Sequence, residues 1–361
     1  MKAAVLHAVN EPMTIEDVEI AKPGPREVLI RTAVAGICHS DLHFAEGSYP
    51  HPMPCVLGHE SAGVVEAVGS DVTYVKPGDH VVTCLSVFCG HCEQCVTGHP
   101  SLCNTPDVKL PPGVARRLSW KGDVMHQFLN LSSFAEQMVV HEHALVKIRP
   151  DMPLDRAALM GCGVLTGVGA VFHTAQVEPG TDVAVIGCGG VGLAAINGAA
   201  IAGANRIIAI DTLPAKLELA KKLGATDVIN AKEVDPVKQV RELTGGGVRY
   251  SFECLGAKLT AEQSFAMLGR GGAATVVGMI PVGVKIELRG SDFLAERKIQ
   301  GSLMGSNRFR VDMPRLIDFY LRGQLQLDHL ISGHIALKDI NDGFKQLHDG
   351  GAVRNVITFP H

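Results

Sequence analysis

The run Val183–Ile186 leads without a break into Gly187-Cys188-Gly189-Gly190-Val191-Gly192, and no other stretch restricts the fold of the chain so tightly. A short apolar run meeting this glycine pattern predicts a strand, a tight turn and the opening of a buried helix. Gly187 allows the turn, Gly189 lets the backbone approach a pyrophosphate, and Gly192 lets helix and strand pack closely. The helix N-terminus, entered through Gly190 and Val191, supplies amide donors and a positive dipole. A second apolar run, Arg206–Ile210, ends in Asp211, 19 residues after Gly192. That carboxylate is placed to accept hydrogen bonds from ribose hydroxyls, and its charge repels a 2′-phosphate. The pattern therefore predicts a dinucleotide site that prefers NAD over NADP.

The alternation continues beyond Asp211. Helical patterns at Leu213–Leu223, Val234–Thr244 and Leu259–Leu268 separate extended runs at Thr226–Asn230, Arg249–Cys254 and Ala273–Gly278. Such alternation predicts an α/β domain, a doubly wound parallel sheet. The first third reads differently. Short runs at Val28–Ala35, Ser61–Val68 and His80–Leu85 lie between turn signals such as Pro23-Gly24-Pro25 and Pro77-Gly78-Asp79. These predict a β-rich domain of barrel or sandwich type, to which the last run, Asn355–Phe359, is expected to return. A length of 361 residues is enough to build both cores. Two stretches without Asp, Glu, Lys or Arg, Ala157–Val177 and Val183–Asn205, are long enough to raise the question of a membrane span. In the second, the turn glycines would break a spanning helix, and a buried strand, turn and helix account for the missing charge.

The N-terminal residues do not pattern as an export signal, so the cytoplasm is the expected location. The ten cysteines are then read as metal ligands or thiols rather than disulfides. Cys89, Cys92, Cys95 and Cys103 fall within 15 residues. Four soft donors at this spacing suit a closed, tetrahedral structural zinc site in a lobe with little core of its own. A bacterial-type iron–sulfur run has other spacings and a Pro after its last Cys, where Asn104 stands here. A DNA-reading zinc ribbon is disfavoured. Only Lys109, Arg116, Arg117 and Lys121 are basic nearby, and 33 basic against 37 acidic residues leave a net charge of −4.

Three further spots put polar or thiol groups in apolar, glycine-rich surroundings: Cys38-His39-Ser40-Asp41-Leu42-His43, Gly58-His59-Glu60 and Gly161-Cys162-Gly163. Together with the glycine turn and the cysteine lobe, they resemble the zinc-dependent alcohol dehydrogenases of the medium-chain dehydrogenase/reductase family. The resemblance runs over essentially the whole chain, with the motifs in the family's order. It implies a GroES-like catalytic domain over 1–163 and 304–361, carrying the lobe at about 89–103, and a Rossmann NAD-binding domain over 164–303. Cys38, His59 and Cys162 are implied as ligands of a catalytic zinc with a fourth position open, making two Zn2+ per chain besides NAD. Glu60 is implied beside that zinc, and Asp41 as the carboxylate that orients His59. Ser40 and His43 match a proton relay from the substrate hydroxyl to solvent. For the cofactor, the resemblance adds Thr166 near the nicotinamide, Lys216 near the adenosine ribose and Arg354 at the pyrophosphate. His39 stands where several relatives carry an arginine for the same phosphate.

The implied reaction is reversible oxidation of a primary alcohol, medium aliphatic or aromatic, to the aldehyde with hydride transfer to NAD. The implied partner is a small alcohol or aldehyde, with no nucleic acid and no membrane. Leu85, Tyr49, Met279 and Ile280 are expected to wall an apolar pocket. The segment Asn104–Ser133 has the length found in the family's dimeric animal enzymes, so a homodimer is expected, with a tetramer as the alternative. Glutathione-dependent formaldehyde dehydrogenases grip glutathione carboxylates with an acidic residue and an arginine, where this chain carries Tyr49 and Asp107. A formaldehyde dehydrogenase acting on a thiol adduct, or an aldehyde dismutase, is the alternative activity. A non-catalytic zinc-binding scaffold is the alternative outside enzymes, and the complete set Cys38, His59, Cys162, Ser40 and His43 argues against it.

Overall fold

The computed structural model describes residues 1–110 and 117–360. Arg116, with residues 111–116 of the Asn104–Ser133 segment, lies outside the described residues. The chain forms two compact units. One comprises Met1–Cys162, Arg308–Leu321 and Leu327–His361, and the other Gly163–Asn307 with Arg322–Gln326.

The first unit is built around the strand Glu27–Gly36. Its burial alternates at first and becomes continuous from Thr32 onward, as expected where a strand passes from an open face into the core. Glu60–Val68 pairs antiparallel with it so that Gly36 faces Glu60, while Gln137–His141 pairs along its first half. The C-terminal strand Asn355–Thr358 pairs with its second half, Val356 facing Gly36, so the chain end does return to this unit. A second sheet runs in the order Thr14–Asp17, Lys2–Leu6, Cys55–Val56, Asp123–Gln127, Leu118–Trp120, Glu19–Ile20. One apolar core gathers Leu6, Ile37, Leu57, Phe128, Phe134 and Ile357, and another Ile30, Val65, Val81, Leu131 and Met138.

The second unit carries six parallel strands in the spatial order Asp227–Asn230, Arg206–Asp211, Asp182–Ile186, Val248–Glu253, Leu268–Val276, Lys298–Gly301. Numbered along the chain this is 3-2-1-4-5-6, the doubly wound arrangement whose order reverses between its first and fourth strands. The helix Gly190–Ile201 is buried along almost its whole length. Its small residues are what permit this: a Cβ on Gly198 would stand 3.2 Å from the Val168 backbone. Close packing on both sides thus explains the charge-free stretch Val183–Asn205. The other stretch forms short pieces, Leu154–Leu159, Gly163–Gly169 and a π-helical turn Ala170–Ala175. Among the described residues no helix is long and apolar enough to cross a membrane.

Element ends moved where local chemistry overrode the apolar pattern. The helix expected from Val234 starts at Pro236, because the Asp235 carboxylate accepts the amides of Val237 and Lys238 and caps it there. The strand at His80 stops at Thr83, and the one expected at Ala273–Gly278 spans Leu268–Val276. The helix Phe309–Leu321 has no counterpart in the sequence reading, and Pro314 inside it disguises its periodicity.

Candidate active site and metal centres

The turn from strand Glu27–Gly36 into helix His39–Ala45 places Cys38 at the helix N-cap and Asp41 three positions later. Asp41 reaches back, its Oδ2 accepting the Cys38 amide at 3.1 Å. Its Oδ1 accepts the Gly58 amide at 3.1 Å and lies 2.9 Å from His59 Nδ1. One buried carboxylate therefore fixes two separate chain segments and occupies one nitrogen of His59, leaving Nε2 for a metal. Nε2 lies 3.3 Å from Cys162 Sγ. Cys38, His59 and Cys162 are all buried and offer one donor atom each, all within 4.8 Å of one another. Tetrahedral zinc, with Zn–S near 2.3 Å and Zn–N near 2.0 Å, sets neighbouring donors about 3.5–3.8 Å apart. Two thiols and one imidazole at this spacing fit zinc and leave a fourth position for water or substrate.

The charges of the site are shared unevenly. A hydrogen bond with Cys162 holds Cys38 well below the ordinary thiol range, against burial and with help from the Arg354 guanidinium and His59. The same bond, reinforced by burial, holds Cys162 well above it. For His59, burial opposes the charged form, but the Asp41 carboxylate outweighs it and raises the imidazole well above its usual range. Glu60 is fully buried, and its Oε2 lies 3.1 Å from Arg354 Nε. Arg354 also donates to the Ile37 carbonyl at 3.0 Å. Burial acts against the guanidinium charge, and Glu60, then Cys38 and Cys162, more than restore it. Arg354 is thus a buried counter-charge of the metal site in this structure, a position the sequence reading did not give it.

Ser40 and His43 sit three residues apart on helix His39–Ala45, on one face. Ser40 Oγ lies 3.7 Å from Cys38 Sγ, and the half-buried His43 ring is 6.3 Å from that of Tyr49. His39 opens the helix and is exposed. An aromatic cluster that sequence reasoning missed packs against one ligand, His59, through Phe128. Phe128 meets His59 edge-on at 5.9 Å, Phe44 at 4.8 Å and His51 at 5.3 Å between ring centroids. Burial, aided by His126, pushes His51 down to about 4. Leu85 is half-buried and packs on the core holding Cys89 and Cys103.

The lobe is made locally. Cys89, Cys92, Cys95 and Cys103 again hold their sulfurs within 4.8 Å of one another, with Cys89 Sγ 3.8 Å from Cys95 Sγ. Main-chain amides of His91 and Cys92 point at Cys89 Sγ from 3.4 and 3.2 Å, and the Cys89 amide at Cys103 Sγ from 3.3 Å. The Thr105 hydroxyl adds a donor to Cys89 Sγ at 3.4 Å. Burial would raise the Cys89 thiol, but Thr105 and these amides outweigh it and bring it to about 5. Donors aimed at sulfur favour thiolates, and four of them suit a closed tetrahedral site. Asp107 is exposed and lies 3.3 Å from His91 Nε2.

In the second unit the glycine turn has the geometry its sequence requires. Gly187 has φ of +92°, and a Cβ on Gly192 would stand 1.7 Å from the Gly187 carbonyl oxygen. Gly189 caps the helix that begins at Gly190 and continues through Val191 and Gly192. Asp211 Oδ2 accepts the Cys188 amide at 2.7 Å, while Oδ1 accepts those of Thr212 and Leu213 at 2.7 and 3.0 Å. The carboxylate therefore locks the turn to the next strand. Lys216 lies in the first turn of helix Pro214–Lys222. Thr166 is buried with Oγ1 3.4 Å from Met304 Sδ, and Met279 and Ile280 are half-buried. This turn and helix N-terminus fit a dinucleotide pyrophosphate.

Comparison with known proteins agrees with both halves of this description. Residues 24–150 match the family model for the alcohol dehydrogenase GroES-like domain, and residues 190–322 that for zinc-binding dehydrogenase. The class-3 alcohol dehydrogenase of Pisum sativum is 41% identical over 366 residues, covering 99% of this chain and 97% of that protein. The S-(hydroxymethyl)glutathione dehydrogenase of Synechocystis is also 41% identical, covering 99% of each. Among solved structures, an alcohol dehydrogenase zinc-binding domain protein from Burkholderia ambifaria superposes with a TM-score of 0.95 at 38% identity, covering 100% of this chain and 99% of its own. A benzyl alcohol dehydrogenase from Acinetobacter calcoaceticus gives 0.93 at 34% identity, covering 99% of both.

Proposed function

Because the chain belongs to the zinc-dependent alcohol dehydrogenases of the medium-chain dehydrogenase/reductase family, which use NAD, we propose that it oxidises a hydroxymethyl group carried on the sulfur of a thiol. The observation that carries this reading is the name S-(hydroxymethyl)glutathione dehydrogenase borne by relatives matched over 99% of the chain. It takes precedence over the simple primary alcohol expected from sequence. The likeness to a benzyl alcohol dehydrogenase favours a second reading, an aromatic or medium aliphatic primary alcohol, and the aromatic ring of Phe128 against His59 is consistent with it. Both substrates present the same –CH2OH group, so one mechanism serves.

Cys38, His59 and Cys162 would hold a zinc ion, whose Lewis acidity would lower the pKa of a substrate hydroxyl, and bound NAD would supply the hydride acceptor. The chain's own residues do the rest. Asp41 keeps His59 in the tautomer that presents Nε2, and so keeps the donor set preorganised. Ser40, two positions after Cys38, hydrogen-bonds the substrate hydroxyl and takes its proton as it passes its own onward, and His43 on the same helix face delivers a proton to solvent. Arg354 pairs with Glu60 and offsets part of the negative charge gathered at the two sulfurs. The buried Phe128 ring packs against His59 and keeps water from that face of the imidazole. Gly187, Gly189 and Gly192 admit the pyrophosphate, and Asp211 selects against a 2′-phosphate.

A homodimer goes with this reading. Val282, Val284, Phe293, Leu294 and Leu303 are exposed around the edge strand Lys298–Gly301, an apolar border that a second copy would cover. The test of function is turnover with NAD and NADP on formaldehyde with glutathione, formaldehyde alone, 1-alkanols and benzyl alcohol. The proposal expects the formaldehyde–glutathione pair with NAD to be fastest. A faster rate with benzyl alcohol and no effect of thiol transfers the conclusion to the second reading. Absence of NADH formation from any of them overturns both.

A further inference from the structure

Glu253 ends the strand Val248–Glu253, directly across the ladder from Ile186, the residue before the glycine turn. It is fully buried. Its Oε1 accepts three hydrogen bonds, from the Leu255 and Gly256 amides at 3.0 and 2.7 Å and from the Thr260 hydroxyl at 2.7 Å. Its main-chain carbonyl accepts two more, from the amides of Val277 and Gly278 at 2.8 and 2.9 Å. One residue thus ties together the loops that follow two neighbouring strands. Its Oε2 is buried without a hydrogen-bond partner and packs where a Cβ on Gly278 would stand, 2.7 Å away. Among the described residues no lysine or arginine pairs with it.

The strand order places this group. A dinucleotide lies across the carboxyl ends of the strands where the order reverses, between Asp182–Ile186 and Val248–Glu253. Asp211 marks the adenosine side of that point, so Glu253 and its two loops fall on the nicotinamide side. The oxidised nicotinamide ring is cationic and the reduced one neutral. We infer that Glu253 is a positioning residue of the cofactor site: it holds the paired loops on the nicotinamide side, and its uncompensated charge favours the oxidised cofactor. The inference rests on NAD as the cofactor, which NADH binding by the unaltered enzyme checks separately.

Glu253→Gln keeps an acceptor for the three donors and removes the charge. Dissociation constants of NAD+, NADH and ADP-ribose, which lacks the nicotinamide, are measured by calorimetry on the zinc-loaded enzyme. NAD+ is expected to weaken about tenfold, the effect of one charge at roughly 10 Å and an effective dielectric of about 20, with NADH and ADP-ribose within about twofold. Equal weakening of all three ligands, or unchanged NAD+ binding, overturns the inference. Should that variant fail to fold, Thr260→Val removes one donor and leaves the charge. It is expected to weaken NAD+ and NADH together and to spare ADP-ribose. Loss of ADP-ribose affinity by the same factor, or no loss at all, overturns it.

Discussion

The two metal centres of the first unit are built in opposite ways. In the lobe, all four donors come from Cys89–Cys103, and main-chain amides of the same segment point at the sulfurs. In the other centre, Cys38, His59 and Cys162 come from segments far apart in the chain, and the side chain of Asp41 does the orienting. A local set of four closes the coordination sphere and can only hold its own loop together. A set of three drawn from distant segments needs a finished fold around it, and it leaves one position for chemistry. On the proposed reading, the first site serves stability and the second turnover.

Each half of that contrast can be broken separately. Cys38→Ser should lower turnover by about a thousandfold or more, since a Lewis acid supplies several kcal/mol to the transition state. Circular dichroism and the lobe zinc should be unchanged; loss of both metals together would show that the sites are not independent. Asp41→Asn should reduce affinity for that zinc by about 10–100-fold, the usual cost of losing the group that orients a ligand. Competition with a chelating dye measures this, and undiminished affinity would remove Asp41 from the account. Cys92→Ser should do the reverse of Cys38→Ser, lowering the melting temperature and opening 85–110 to protease, while turnover per folded molecule stays within about threefold, because that zinc stabilises structure rather than substrate. Thr105→Val should have the smallest effect, about 0.5–1.5 kcal/mol in denaturant unfolding for one hydrogen bond to Cys89.

The same contrast explains what could be read from sequence. The lobe and the glycine turn are local, so spacing alone exposes them, and Asp211 follows at a distance set by one βα unit. The turn even states its own steric reason, since Gly192 has no room for a Cβ. Cys38, His59 and Cys162 were reached only through a family resemblance, because no spacing rule links residues that three separate segments bring together. Roles that depend on packing were not legible. The Phe44–His51–Phe128 cluster is assembled by tertiary structure from two apolar positions and a histidine. The family resemblance points Arg354 at a phosphate, and its pairing with Glu60 depends on the C-terminal strand lying against Glu27–Gly36. Glu253 carries no motif, and its importance comes from five hydrogen bonds that converge on it only after the sheet has formed.

Zinc content followed together with turnover during dialysis against a chelator tests the central claim most directly. The enzyme should start with two zinc ions per chain, and activity should fall in proportion to loss of the first while the second stays and the circular dichroism spectrum holds. Full activity with a single zinc per chain, or activity that disappears only when the second ion leaves, would contradict the division of labour between the two sites.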